Sequence, residues 1–235
     1  LLGTAAAAVA PALWTPSPAR ASLARTLALA AKPEGTTLLE AIERPPGGGY
    51  VRLAAGPGWP TITRSELGTP EVGREDRRRA VAAFVHLTDT HLIDAESPGR
   101  VEFVDRYASP FESAYRHQDA LTVQVLGAMV TTLGRVRHGP ITGRPLDAAV
   151  STGDNIDNCQ RNELEWFIAS LDGGSVAPTS GDPSRYEGVQ DSLDTWPGYW
   201  HPGTPGVDDP STAGVPEIPG LLEAAIAPVT PPGLE

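Results

Sequence analysis

Two apolar runs stand out along a chain otherwise punctuated by Pro and Gly. Residues 80–88 read Ala-Val-Ala-Ala-Phe-Val-His-Leu-Thr, and residues 146–152 read Leu-Asp-Ala-Ala-Val-Ser-Thr. Short and without polar alternation, both have the pattern of strands buried on both faces of a sheet. Between them, over 113–137, Ala120, Leu121, Val123, Val125, Leu126, Met129, Val130 and Leu133 recur at helical spacings. That spacing predicts a core-facing helix, closed by Gly139 and Pro140. After the second run, residues 162–171 set Leu164, Phe167, Ile168 and Leu171 on one helical face, which Gly173 and Gly174 end. Strand, helix, strand, helix is the grammar of an α/β protein with a parallel sheet and a right-handed crossover.

The flanks read differently. Residues 1–13 are apolar, break at Trp14 and Pro16, and lead to Ala19-Arg20-Ala21 before Ser22. An apolar core followed by A-x-A is the mark of a cleaved export signal, so residues 1–21 are expected to be a signal-peptide remnant and the protein to be secreted or held in the cell envelope. Ala28-Leu29-Ala30 offers a second cut. The segment is too short for a stable membrane span. Residues 22–79 are rich in turns, with strand-like stretches at 50–53 and 61–63, and are expected to form an N-terminal extension packed on the core. From 175 to 235 the text shifts to Pro, Gly, Asp, Ser and Trp, with only 221–226 helical in pattern. So long an irregular stretch points to an insertion over a site or to a linker. Tyr186, Trp196, Tyr199 and Trp200 favour an ordered insertion, because disordered segments are poor in aromatics.

Composition narrows the function. With 40% hydrophobic residues over 235 positions there is material for a sizeable core. The net charge of −11 and a pI near 4.9 exclude a nucleic-acid-binding patch, the longest basic run being Arg77, Arg78 and Arg79. A single cysteine, Cys159, excludes an intramolecular disulfide.

Chemistry is concentrated where the apolar runs end. The first leads into Asp89-Thr90-His91, where alternation at a strand end would point the carboxylate and the imidazole the same way. A D-x-H of this kind suits one borderline divalent metal. The second run leads into Gly153-Asp154-Asn155-Ile156-Asp157, in which Gly permits a sharp turn and lets Asp154 project above the sheet edge. Alone, the first motif reads as a polar strand end and the second as a turn. Together, at the carboxyl ends of neighbouring strands, they sit where open α/β sheets place ligands.

In these two motifs, carried on the stretch from Phe84 to Phe167, the chain resembles the calcineurin-like metallophosphoesterase superfamily. It looks most like an exported branch, often with twin-arginine signals, that has long inserts between motifs; the segments 186–190, 199–202 and 219–234 look similar to that branch's insert. The resemblance implies that residues 80–174 are the first βαβα part of a four-layer α/β/β/α sandwich and that 175–235 are an insert leading to the rest of the domain. It implies two metal ions (Mn, Fe or Zn), with Asp89 and His91 on the first, Asp154 bridging both, and Asp157 orienting the histidine of a later G-N-H motif. A hydroxide held between the cations then attacks the phosphorus of an ester substrate in line. G-N-H-D/E and the later histidine motifs do not occur in the 235 residues. The complete form is therefore expected to continue past Glu235, and these residues alone to turn over weakly or not at all. Some relatives follow the second Asp with a phosphate-holding Arg, where this chain has Asn158, so Arg100, Arg161 or the insert would have to grip substrate.

The remaining candidates read as structural. His86 is expected to be a hydrogen-bonded core histidine, His117 a surface or capping residue, His138 a helix C-terminal cation, and His201 a loop histidine. Cys159 is expected to be a small packing residue. From a different class, the alternative is a noncatalytic exported binding protein that keeps a partial metal site.

Overall fold

A computed structural model describes residues 35–47, 51–97, 104, 107, 116–191, 201–203, 214 and 217–234. The expectations for the 1–21 leader, Arg100, the His117 side chain, Trp196, Tyr199 and Trp200 fall outside the described residues. The architecture is a mixed α/β one, with small sheets and a few helices.

An antiparallel pair comes first, β1 (Glu40–Glu43) with β2 (Ala54–Pro57), in the register Glu40↔Pro57 to Glu43↔Ala54. Neither 51–53 nor 61–63 is a strand. Ala-Ala-Gly-Pro has little β-propensity of its own, so cross-strand pairing with β1, and not local preference, decides where the ladder forms. Ile42 and Trp59 stay exposed, and Gly35 lies against Thr132 of the main helix. A single-turn helix, α1 (Arg74–Arg77), precedes the central unit.

That unit is β3 (Phe84–Leu87), a 3-10 turn (His117–Leu121) running into α2 (Thr122–Val136), β4 (Ala148–Ser151) and α3 (Arg161–Asp172). β3 and β4 pair in parallel, Phe84↔Ala148 through Leu87↔Ser151. The predicted order therefore stands, but the strands are shorter than the apolar runs, and they are not buried on both faces. Phe84 is 60% exposed, Val150 is 44% exposed, and every residue of β4 is exposed. An apolar run records surface that a strand can bury; among the described residues the sheet has two strands, and Leu87 is the one strand residue that is buried.

At the start of this sheet Asp147 accepts from the Ala83 amide at 2.8 Å and from two Arg144 nitrogens at 2.7 Å each. The Arg144 hydrogen bonds, aided by the Ala83 amide, hold the Asp147 carboxyl down at about 2. A folded-state value below the unfolded one, about 3.9, means stability that is present above pH 4 and lost as the pH falls toward 2. Asp147→Asn is expected to lower the melting temperature at pH 7 and to flatten its fall between pH 4 and 2, measured by thermal melts across that window.

The main core lies between the helices and the loops that follow the strands. Val123, Leu126 and Val130 of α2 meet Phe167 of α3, Leu92 and Val176, with Ile156, Trp166, Val229 and Leu234 around them. Each such side chain contributes roughly 1.5–3 kcal/mol on burial. Leu92, the residue after His91, is completely buried, so the loop of the first motif is anchored in this core one residue from its histidine.

The helical face predicted for α3 is rotated. Leu164 and Ile168 are 44% and 47% exposed, while Glu163, Phe167 and Ser170 are buried. A carboxylate displaces leucine from the interior only because its hydrogen bonds are fully met, as described below. The helix ends at Gly173, left-handed at φ 90° as a C-terminal stop requires.

Parts of the irregular 175–235 stretch are built into the molecule. Val176 bridges Val229, and Tyr186 joins Ala95, Ala120, Ala225 and Ile226 in a second cluster beside α4 (Leu221–Ala225). Glu96 fastens this stretch: its carboxylate accepts from the Thr179 hydroxyl and from the amides of Ser180, Gly181 and Glu187, at 2.6–3.0 Å. No helix among the described residues is long and apolar enough to cross a membrane.

Candidate metal centre

Parallel pairing does not stop at the last ladder pair. The Thr152 amide donates to Leu87 O, Asp89 to Gly153 O, His91 to Asp154 O, Leu92 to Asn155 O, and Asp157 to Leu92 O, all at 2.8–3.1 Å. The Thr90 hydroxyl adds a bond to Asn155 O at 2.9 Å. The two loops that carry the motifs are thus zipped to one another, and their side chains inherit the rigidity of the sheet and of Leu92 beneath.

Backbone conformation marks the same residues. Asp89, His91 and Asp154 lie in the left-handed region, at φ 54°, 42° and 47°. Among the described residues only Arg137 and Cys159 share that conformation without being glycine. Such residues cost of order 1–3 kcal/mol each and persist where the surroundings impose them, often at functional sites. Strand alternation is therefore not what aligns Asp89 with His91, as the sequence suggested: the strand ends at Leu87, and paired left-handed turns aim both side chains.

The three side chains converge. One ligand atom from each of Asp89, His91 and Asp154 lies within 4.8 Å of the others, forming a candidate metal-binding cluster. His91 Nε2 is 3.8 Å from Asp89 Oδ1, while the other Asp89 oxygen accepts from the Thr88 hydroxyl. On its far side, His91 Nδ1 lies 2.9 Å from Asp157 Oδ1. An ionised carboxylate only accepts, so Nδ1 donates to Asp157, and in the neutral imidazole Nε2 is then the acceptor, on the side of Asp89. Exposure separates the roles: the Asp89 side chain is 58% exposed and that of Asp157 only 14%. Asp157 supports the imidazole from behind, the arrangement usual for metal-binding histidines.

The donor set fits a borderline divalent ion. Two carboxylates and one imidazole suit Mn, Fe or Zn. A four-coordinate ion with bonds near 2.1 Å needs donors roughly 3.4 Å apart, and the exposed carboxylates can close the remaining gap by rotating. Two acids this close repel one another, and a bound cation would remove that repulsion.

Other sequence candidates fall elsewhere. The resemblance implied that Asp157 orients the histidine of a later G-N-H motif, which the 235 residues do not contain; the Asp157 carboxylate meets His91. His86 is exposed, not in the core, and its Nε2 pairs with the Thr152 hydroxyl at 2.9 Å, because the face of β3 that carries it is uncovered. His138 is exposed just past α2. His201 sets its ring nitrogens against the carbonyls of Pro202 and Asp191, as a loop histidine. Cys159 is exposed and not a packing residue, since it occupies a left-handed turn position at φ 57°. Arg161 pairs with Glu165 at 2.7 Å on the surface of α3. Asn158 turns its side-chain amide to Glu163 at 3.0 Å. Glu163 and Asp94, both buried beside the site loops, were not singled out in the sequence. The signal that could have found Glu163 is its place three residues after Gln160, the position from which an acid reaches back to cap a helix.

No protein-family model, no curated protein and no solved structure matches the chain.

Proposed function

We propose that the chain carries the first metal ligands of a metal-dependent phosphoric ester hydrolase of the calcineurin-like metallophosphoesterase type. The observation that supports this most is the meeting of Asp89, His91 and Asp154 on left-handed backbone at the ends of adjacent parallel strands, with Asp157 behind the imidazole. In this reading β3, α2, β4 and α3 belong to the first half of a four-layer sandwich, and 175–235 is its insert. The apolar 1–13 segment and the A-x-A sequence that follows support export to the cell envelope or beyond.

Each residue has a defined task. Asp89, His91 and Asp154 are the residues that would hold metal here. Asp157 accepts from Nδ1 and so turns Nε2 toward the metal position. Thr88 and the backbone zipper keep Asp89 in place before any ion arrives, which lowers the ordering cost of binding. Two Mn, Fe or Zn ions would supply a nucleophilic hydroxide at neutral pH and offset negative charge on the phosphoryl oxygens.

The test is turnover. Full-length protein loaded with Mn²⁺ is expected to hydrolyse p-nitrophenyl phosphate or bis(p-nitrophenyl) phosphate, to lose that activity to a chelator, and to regain it on readdition of Mn²⁺. Tight Mn²⁺ binding with neither ester cleaved would favour the noncatalytic binding protein instead.

A further inference from the structure

Glu163 has no exposed surface, yet its charge has no business in a helix interior without strong compensation. Four donors supply it. Oε1 accepts from the Asp94 amide at 2.9 Å and from Asn158 Nδ2 at 3.0 Å. Oε2 accepts from the Asn158 amide at 3.0 Å and from the Gln160 amide at 3.2 Å. Only the Gln160 bond is the ordinary helix cap. The other three reach the two loops that carry the metal ligands: Asp94 lies three residues after His91, and Asn158 directly follows Asp157. Asp94 is itself buried, and it accepts from Asn162 Nδ2 of the same helix at 2.6 Å and from the Glu96 amide at 3.1 Å.

We infer that Glu163 is a positioning residue for the metal centre, clamping the Asp89–His91 loop and the Asp154–Asp157 loop to one carboxylate at the start of α3. This rests on the metal reading proposed above. The physical reason is the cost of error. A loop that drifts by an ångström leaves a buried carboxylate lone pair without a donor, which is expensive in an interior that water does not reach. The carboxylate therefore holds Asn158, and with it Asp157 and the His91 ring, at one distance from the Asp89 side of the site. Neutral amides suffice as donors, so the clamp places no cation where it would compete with metal.

Glu163→Gln separates clamp from filler. A glutamine amide has one acceptor and one donor end, and every partner of Glu163 is a donor. Whichever way the amide lies, it meets either the Asp94 side or the Asn158 and Gln160 amides with hydrogen against hydrogen, and releases one loop.

The experiment is titration of the protein with Co²⁺, following both affinity and the visible absorption of the bound ion. Wild-type protein is expected to bind, Asp154→Asn not to bind, and Glu163→Gln to bind about 10–100-fold more weakly with an altered spectrum, the size usual for groups that orient ligands. Asn158→Ala, which withdraws one donor and keeps the charge, is expected to give a smaller loss in the same direction and serves should Glu163→Gln not fold. Ile168→Gly weakens the same helix from its exposed side, without touching the clamp or the core around Leu92, and is expected to lower the melting temperature while leaving Co²⁺ affinity and spectrum at wild-type values. Glu163→Gln and Asn158→Ala with wild-type affinity and spectrum would overturn the inference and leave the metal reading intact. Wild-type protein that binds no Co²⁺ would remove both.

Discussion

Asp154→Asn is expected to abolish Mn²⁺ loading and ester hydrolysis together while the protein stays folded. Asp154 is exposed, so its charge contributes little to packing. Its backbone is left-handed at φ 47°, and Asn is the side chain that best tolerates that conformation after Gly. The substitution thus keeps shape and turn and removes only the charge. The cluster is left with one carboxylate and one imidazole, too few to hold a divalent ion against water. A fall in Mn²⁺ affinity beyond about 100-fold is expected, exceeding the ~10–100-fold usual for a supporting residue, with an unchanged circular dichroism spectrum. Calorimetric titration reads it directly. Retained binding and retained turnover would show that Asp154 is a turn residue and nothing more.

Asp157→Ala is expected to weaken Mn²⁺ binding about 10–100-fold with Asp89, His91 and Asp154 all still present. The Nδ1–H of His91 loses its acceptor at 2.9 Å, the ring can rotate, and the proton is free to move to the nitrogen that metal needs. Because Asp157 is largely buried, some stability is lost as well, read as a lower melting temperature. Asp157→Asn distinguishes the two effects, since its amide oxygen can still accept from Nδ1–H. Affinity is expected in the order wild type, Asp157→Asn, Asp157→Ala. Equal affinities across the three would mean that the Asp157–His91 contact does not orient a ligand.

How far the sequence could be read depended on which force set each feature. The order of strands and helices from Phe84 to Asp172 was legible because it follows hydrophobic periodicity, which is local. Whether those strands would be covered was not, because burial depends on layers that periodicity does not reveal; Phe84 and Val150 belong to open faces. The meeting of Asp89, His91 and Asp154 was legible from two motifs at adjacent strand ends. Its backbone cause was not, since left-handed turns at Asp and His are imposed by cross-loop hydrogen bonds such as His91 N to Asp154 O, which join residues far apart in the chain. Glu163 escaped notice for a related reason. An acid in the first turn of a helix looks solvent-facing until its partners are known, and three of its four bonds go to loops outside that helix. The strand Ala54–Pro57 was misplaced because its residues have little preference of their own.

The most direct measurement is the position of bound metal. Crystals of the protein soaked in Mn²⁺, with anomalous scattering recorded, are expected to show a peak between Asp89 Oδ1, His91 Nε2 and the Asp154 carboxylate, with the His91 Nδ1 contact to Asp157 preserved. A peak elsewhere, or His91 turned so that Nδ1 faces the ion, would contradict the account.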